Sequence, residues 1–105
     1  MIAEFSIVPL SNEQGVSLSK KVAQAIRIVE ESGLPYQLTP MGTIIEGPWD
    51  KVMETIHRAH QTLKNSHQRV LTRISIDDRD GSENRMAQKV ESVKKHLQDE
   101  SQNET

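Results

Sequence analysis

The stretch Leu34-Pro35-Tyr36-Gln37-Leu38-Thr39-Pro40-Met41-Gly42-Thr43-Ile44-Ile45-Glu46-Gly47-Pro48-Trp49-Asp50 lies in the middle of the chain and decides how the rest is read. Tyr36 and Leu38 share one parity, and only Gly42 separates their segment from Thr43-Ile44-Ile45-Glu46, so the two arms read as a tight hairpin. Gly47-Pro48 ends the second arm. Proline is pre-organised for the first turn of a helix and Asp50 suits the positive end of its dipole. Val52, Met53, Ile56, Ala59, His60 and Leu63 then recur at helical spacing, which predicts a helix to about Asn65.

Upstream of the hairpin, Ala3, Phe5 and Ile7 alternate with Glu4, Ser6 and Val8, the period-2 pattern of a strand with unlike faces, and Pro9 closes it. After a loop from Ser11 to Val16, Ser17 is placed to cap a helix whose stripe is Leu18, Val22, Ala25, Ile26 and Val29, with Gly33 as its left-handed stop. Downstream, Arg69 to Asp77 alternates again: Val70, Thr72, Ile74 and Ile76 share one face, and Leu71, Arg73 and Ser75 the other. Asp78 to Gly81 makes a polar turn. Ser82 or Asn84 is then placed to cap a third helix carrying Met86, Val90, Val93 and Leu97, a narrow stripe that must dock on something. Gln98 to Thr105 is wholly polar and is expected to fray.

The element order predicts an α+β chain, a ferredoxin-like βαββαβ antiparallel sheet with an added C-terminal helix, forming one domain over residues 1–97 with a polar tail at 98–105. Both crossover helices fall on one side of the sheet. The other side, bearing Glu4, Ser6, Val8, Leu71, Arg73 and Ser75, is too apolar for a plain solvent face and too polar for a core, as a wet interface with a small polar pocket requires.

Composition narrows the function classes. With 105 residues one domain is expected, and a hydrophobic fraction of 34%, even with 5 glycines added, stays below the ~45–50% of average domains. The core is therefore thin, and burial against a second copy is expected. Lys+Arg 13 against Asp+Glu 15 gives a charge of -2, no footprint for nucleic acid or an anionic membrane surface. Without cysteine there is no disulfide framework, thiol nucleophile or Cys-bound zinc. No apolar run approaches membrane-spanning length, so a soluble, cytoplasmic protein is expected.

The central stretch, together with Glu4-Phe5-Ser6-Ile7-Val8-Pro9, Arg69-Val70 and Asp77 with Arg79 after Ile76, resembles a small thiamine-binding family, over about residues 2–97. The resemblance implies a ferredoxin-like subunit that pairs through its sheets, as a homodimer or a dimer of dimers. It also implies binding of thiamine or its hydroxymethylpyrimidine portion without catalysis, and no cofactor beyond that ligand.

Thiamine joins an aminopyrimidine to a thiazolium cation, so its site needs hydrogen-bonding side chains, a flat apolar wall and an anion or ring nearby. The hairpin offers Thr43 and Glu46 to bond the pyrimidine or offset the cation, Tyr36 and Trp49 as the wall, and Met41 as an adaptable contact, while Ser6 adds a bond from the first strand. Each has a plainer reading. Glu46 equally suits a partner for Arg73 or a first-turn charge before the following helix, Thr43 suits a strand, and Tyr36 and Trp49 suit core or interface packing. His57 and His60, with His67 beyond, weakly suggest a metal, but no His-Glu-x-x-His pattern accompanies them. An RNA-binding sheet would need aromatic platforms, and an enzyme a paired base and nucleophile; neither is legible. The leading reading is a non-catalytic carrier or sensor of thiamine-like molecules with its site where subunits meet. The alternative is an oligomeric regulatory module holding another heterocycle or a protein partner. The thin core predicts sedimentation as a dimer or tetramer at micromolar concentration; a monodisperse monomer would contradict it.

Overall fold

The computed structural model describes residues 1–10, 18–81 and 85–103. Its elements are β1 (Ile2–Pro9), α1 (Leu18–Glu31), β2 (Tyr36–Thr39), β3 (Gly42–Glu46), α2 (Trp49–Lys64), β4 (Val70–Asp77) and α3 (Arg85–Asn103). The four strands form one antiparallel sheet in the order β2-β3-β1-β4, the ferredoxin-like arrangement that the element order predicts. The loop and cap assigned to Ser11–Ser17, and the caps assigned to Ser82 and Asn84, lie outside the described residues.

Alternation in β1 is the origin of the core. Ala3, Phe5 and Ile7 are buried, and the register Ala3↔Ile45 and Phe5↔Thr43 puts those β3 residues on the same side. Ala25 and Val29 of α1, with Val52, Ile56, Ala59 and Leu63 of α2, close over them. Each large aliphatic buried this way contributes about 1.5–3 kcal/mol. Two polar groups in the layer bond locally: the Thr55 hydroxyl donates to the Lys51 carbonyl at 2.7 Å, and His60 Nδ1 lies 2.6 Å from Thr72 Oγ1, tying α2 to β4. At the end of α1, the Leu34 amide donates to Ser32 Oγ, and Gly33 turns the chain with φ of 74°.

Several details differ from the sequence-based expectations, each for a packing reason. The buried line of α1 is Lys21, Ala25 and Val29, whereas Leu18 is exposed and Val22 and Ile26 are half-buried. The helix is rotated so that the latter two flank a cavity instead of the sheet. Ile74 and Ile76 share the helix side of β4 as their parity requires, through the pairs Phe5↔Ile74 and Ala3↔Ile76, yet each remains 40% exposed. The β4 residues opposite β1's far half, Val70 and Thr72, are the more buried ones, and Thr72 meets α2. The hairpin turn is Pro40-Met41, because Thr39 pairs with Gly42 as the first residue of β3. Thr39 Oγ1 holds this turn, accepting from the amides of Met41 and Gly42 and donating to the Gly42 carbonyl.

The third helix departs furthest. It continues through Asn103, past the boundary expected at Leu97, and its stripe is uncovered, with Val93 60% and Leu97 58% exposed. The molecule measures 57 × 32 × 20 Å with a radius of gyration of 16.8 Å, against ~13 Å for a compact chain of this size. α3 is an arm. Among the described residues no helix is long and apolar enough to cross a membrane.

Gly42 is required by approach, not by a left-handed conformation. A Cβ there would stand 2.8 Å from the Phe5 carbonyl oxygen. Gly42→Ala is expected to cost about 1–3 kcal/mol, since both neighbours are backbone and cannot step aside. An unchanged denaturation midpoint in urea would contradict this.

Candidate functional site

The same close approach that demands Gly42 shapes the site. β1 pairs with β4 from Ile2 to Pro9, but with β3 only from Ile2 to Phe5. Beyond Phe5 its second edge is uncovered by any strand among the described residues. The Phe5 carbonyl points toward β3, and backbone direction alternates along a strand, so the N–H and C=O of Ile7 face this open edge.

A cavity of about 700 Å³ occupies the space between that edge, α1 and the tip of the β2–β3 hairpin. Val22, Ile26 and Leu38 give it apolar walls, Thr43 and Leu63 reach it from the core, and Arg27 and Glu30 of α1 stand at its rim. Such a volume, mostly apolar with few polar groups, suits a small organic ligand. Of the six residues singled out from the sequence, Ser6, Met41 and Thr43 line it. Tyr36, Glu46 and Trp49 do not. Tyr36 pairs with Ile45 on the helix side and packs against the core, and Trp49 is the first residue of α2, half exposed.

Glu30 and Arg27 escape a sequence reading because they look like an ordinary solvated helix face. The available signal is spacing: Val22, Ile26 and Glu30 recur every fourth residue, one flank away from the buried line of Lys21, Ala25 and Val29.

Ser6 and Met41 also line a shallower hollow of about 290 Å³ on the helix-free face, together with Glu4, Arg73 and Ser75. The register places Ser6 opposite Arg73 and Glu4 opposite Ser75 on that face, with Val8 and Leu71 beside them, as strand parity predicts. The two hollows therefore meet around the open edge of β1.

Glu46 has another task. It faces the side of the sheet opposite α1 and α2, beside Ile2, and is only 7% exposed. Its carboxylate accepts from the Arg85 amide at 2.6 Å and from the Met86 amide at 3.4 Å, so it caps the N-terminus of α3. This is a first-turn charge, as the plainer reading allowed, but for the third helix, a pairing across 39 residues that sequence spacing does not show. One turn on, Lys89 pairs with Asp77, and its hydrogen bond and charge hold the Asp77 carboxyl below its ordinary value of 3.8.

The histidines are dispersed. His57 is exposed and His60 is bonded to Thr72. His67 is buried with Nδ1 donating to the Leu63 carbonyl at 2.7 Å. Among the described residues no three metal-ligating side chains gather.

Comparison with known proteins supplies a family. A family model described as "Thiamine-binding protein" matches residues 3–94. The UPF0045 protein MJ1052 of Methanocaldococcus jannaschii is 34% identical over 93 residues, covering 89% of this chain and 91% of the relative. The UPF0045 protein YqgV of Bacillus subtilis is 39% identical over 102 residues, covering 92% and 97%. The crystal structure of the M. jannaschii protein superposes with a TM-score of 0.77 over 88% of this chain and 93% of that one. A Thermotoga maritima protein, described as a candidate thiamine biosynthesis/salvage protein, superposes with a TM-score of 0.74 over 88% and 96%; at 23% identity that likeness is one of fold.

The capping geometry gives a direct expectation. Glu46→Ala should remove about 1 kcal/mol from the start of α3, in the range of other lost caps. Hydrogen exchange at the Arg85 and Met86 amides should then accelerate while exchange in β1 is unchanged; equal protection in variant and parent would rule the cap out.

Proposed function

The chain belongs to the thiamine-binding protein family, and from that premise we propose that it binds thiamine or its hydroxymethylpyrimidine portion as a carrier or sensor, without catalysing a reaction on it. The observation that carries this reading is the cavity of about 700 Å³ at the open edge of β1. An aminopyrimidine presents a ring nitrogen that accepts beside an exocyclic amine that donates. One residue of an open strand edge presents the complementary pair, here the N–H and C=O of Ile7. Val22, Ile26 and Leu38 offer apolar surface for the ring faces, and Thr43 offers a hydroxyl at the base.

The cation is matched at the rim. Glu30 is placed to offset a thiazolium, taking the role that Glu46 has in the sequence-based reading, while Ser6, Met41 and Thr43 keep theirs. A second copy packed on the helix-free face would close the mouth at Ser6 and Met41, which line both hollows. The site thus belongs to an interface between copies.

Calorimetry with thiamine, thiamine diphosphate, hydroxymethylpyrimidine and unrelated nucleobases tests the proposal. Heat is expected for the thiamine group alone, and silence across the panel would overturn the reading. Glu30→Gln should weaken thiamine about two- to five-fold, the worth of a part-exposed charge pair, and leave uncharged hydroxymethylpyrimidine unaffected. Equal loss for both ligands would remove Glu30 from the cation site.

A further inference from the structure

We propose that the cavity takes thiamine as its monophosphate, in preference to the free vitamin and to the diphosphate, with Arg27 holding the phosphate and Glu30 facing the thiazolium. This rests on the reading above and deepens it by naming the charge that the ligand carries.

The part of α1 that lines the cavity consists of two adjacent rows. Val22, Ile26 and Glu30 recur every fourth residue, and so do Ser19, Ala23 and Arg27. The first row is an apolar wall that ends in an anion, and the second is a row of small side chains that ends in a cation. Arg27 is exposed, and although Glu30 and Glu31 follow it by three and four residues, it has no ion-pair partner among the described residues. Helix geometry accounts for this. Long side chains lean toward the N-terminus of their helix, so the guanidinium extends over Ala23 and away from both acids, and the Glu30 carboxylate leans over Ile26. The small Ala23 side chain leaves room beside the guanidinium for a further group.

Charge selects among the forms of the vitamin. Glu30 and Glu31 occupy the last turn of α1, which holds no basic residue, where the helix dipole disfavours anions. A cationic ring seated against Glu30 offsets that dipole, as a last-turn lysine would. Residues three apart on a helix stand roughly 5–6 Å apart at their Cβ atoms, so a thiazolium and a phosphate joined by an ethyl arm fit two such neighbours. The phosphate of a monoester carries about −1.5 to −2 at pH 7 and matches the planar fork of a guanidinium. Thiamine monophosphate therefore offers one partner to each rim charge. Free thiamine brings only the cation and sets it against Arg27. The diphosphate brings a second phosphate group to a rim where Arg27 is the one cation among the described residues, beside Glu30 and Glu31.

Calorimetry on the whole chain with thiamine, thiamine monophosphate and thiamine diphosphate reads the preference directly. The monophosphate is expected to bind about three- to ten-fold tighter than either of the others, the worth of one part-exposed guanidinium–phosphate contact, and its lead should narrow as salt screens the pair. Arg27 is exposed and outside the core, so Arg27→Gln is expected to fold as the parent does. In this variant the two ligands should move in opposite directions. The monophosphate weakens to the level of free thiamine or below, while free thiamine tightens slightly because the cation facing its ring is gone. Free thiamine or the diphosphate binding the parent as tightly as the monophosphate, or a variant that weakens thiamine and monophosphate together, would overturn the phosphate site while leaving thiamine binding in place. Heat from none of the three would overturn the thiamine reading itself, and this inference with it.

Discussion

The contact on which the structure turns is the approach of the Phe5 carbonyl to the backbone of Gly42. It sets where the hairpin meets β1 and hence the register of the whole sheet. Because β3 begins there, the first half of β1 is held on both edges and the second half on one. Any side chain at position 42 would push the hairpin away from β1. The fully paired half supplies the core, through Ala3, Phe5, Thr43 and Ile45, and the half-paired stretch supplies an edge with backbone groups to offer.

That division explains why the cavity and the core adjoin without merging. α1 must cover Ala25 and Val29 over the sheet, and in doing so it holds Val22, Ile26 and Glu30 across the gap left by the short hairpin. The apolar wall is surface left open among the described residues. A thin core is usually described as a cost to stability; under the function proposed above, the rings of a bound ligand would complete this packing.

At the opposite end of β1 the register does something different. It brings Glu46, Ile2 and Asp77 into a row, and the two carboxylates anchor the first turns of α3 through its amides and Lys89. Glu46, the acid that sequence analysis offers to the ligand, is thus engaged by the start of α3, while the acid beside the cavity, Glu30, comes from α1. Side-chain type pointed to the chemistry that the proposed ligand requires, a carboxylate near a cation, but not to which carboxylate the fold sets beside the cavity. What separates the two acids is what the folded chain brings opposite each, the start of α3 for Glu46 and the cavity for Glu30. The same holds for Ile74 and Ile76, whose parity is correct and whose cover is incomplete, because coverage depends on how far α2 extends over the sheet.

Alternation and helical spacing, read from the sequence, determined the element order, the faces of β1 and β4 and the ferredoxin-like plan, since these follow from periodicities of two and 3.6 along one strand or helix. The hairpin motif, with the first and last strands, was likewise enough to indicate the family, and three residues offered from the sequence, Ser6 of β1 with Met41 and Thr43 of the hairpin, line the cavity. Tertiary structure alone decided the rest: the start of β3 at Gly42, the rotation of α1 that puts Glu30 at the rim, the cap of α3 by Glu46 and the direction of the arm. Each of these depends on the distance between groups far apart in the chain, and periodicity carries no information about such distances.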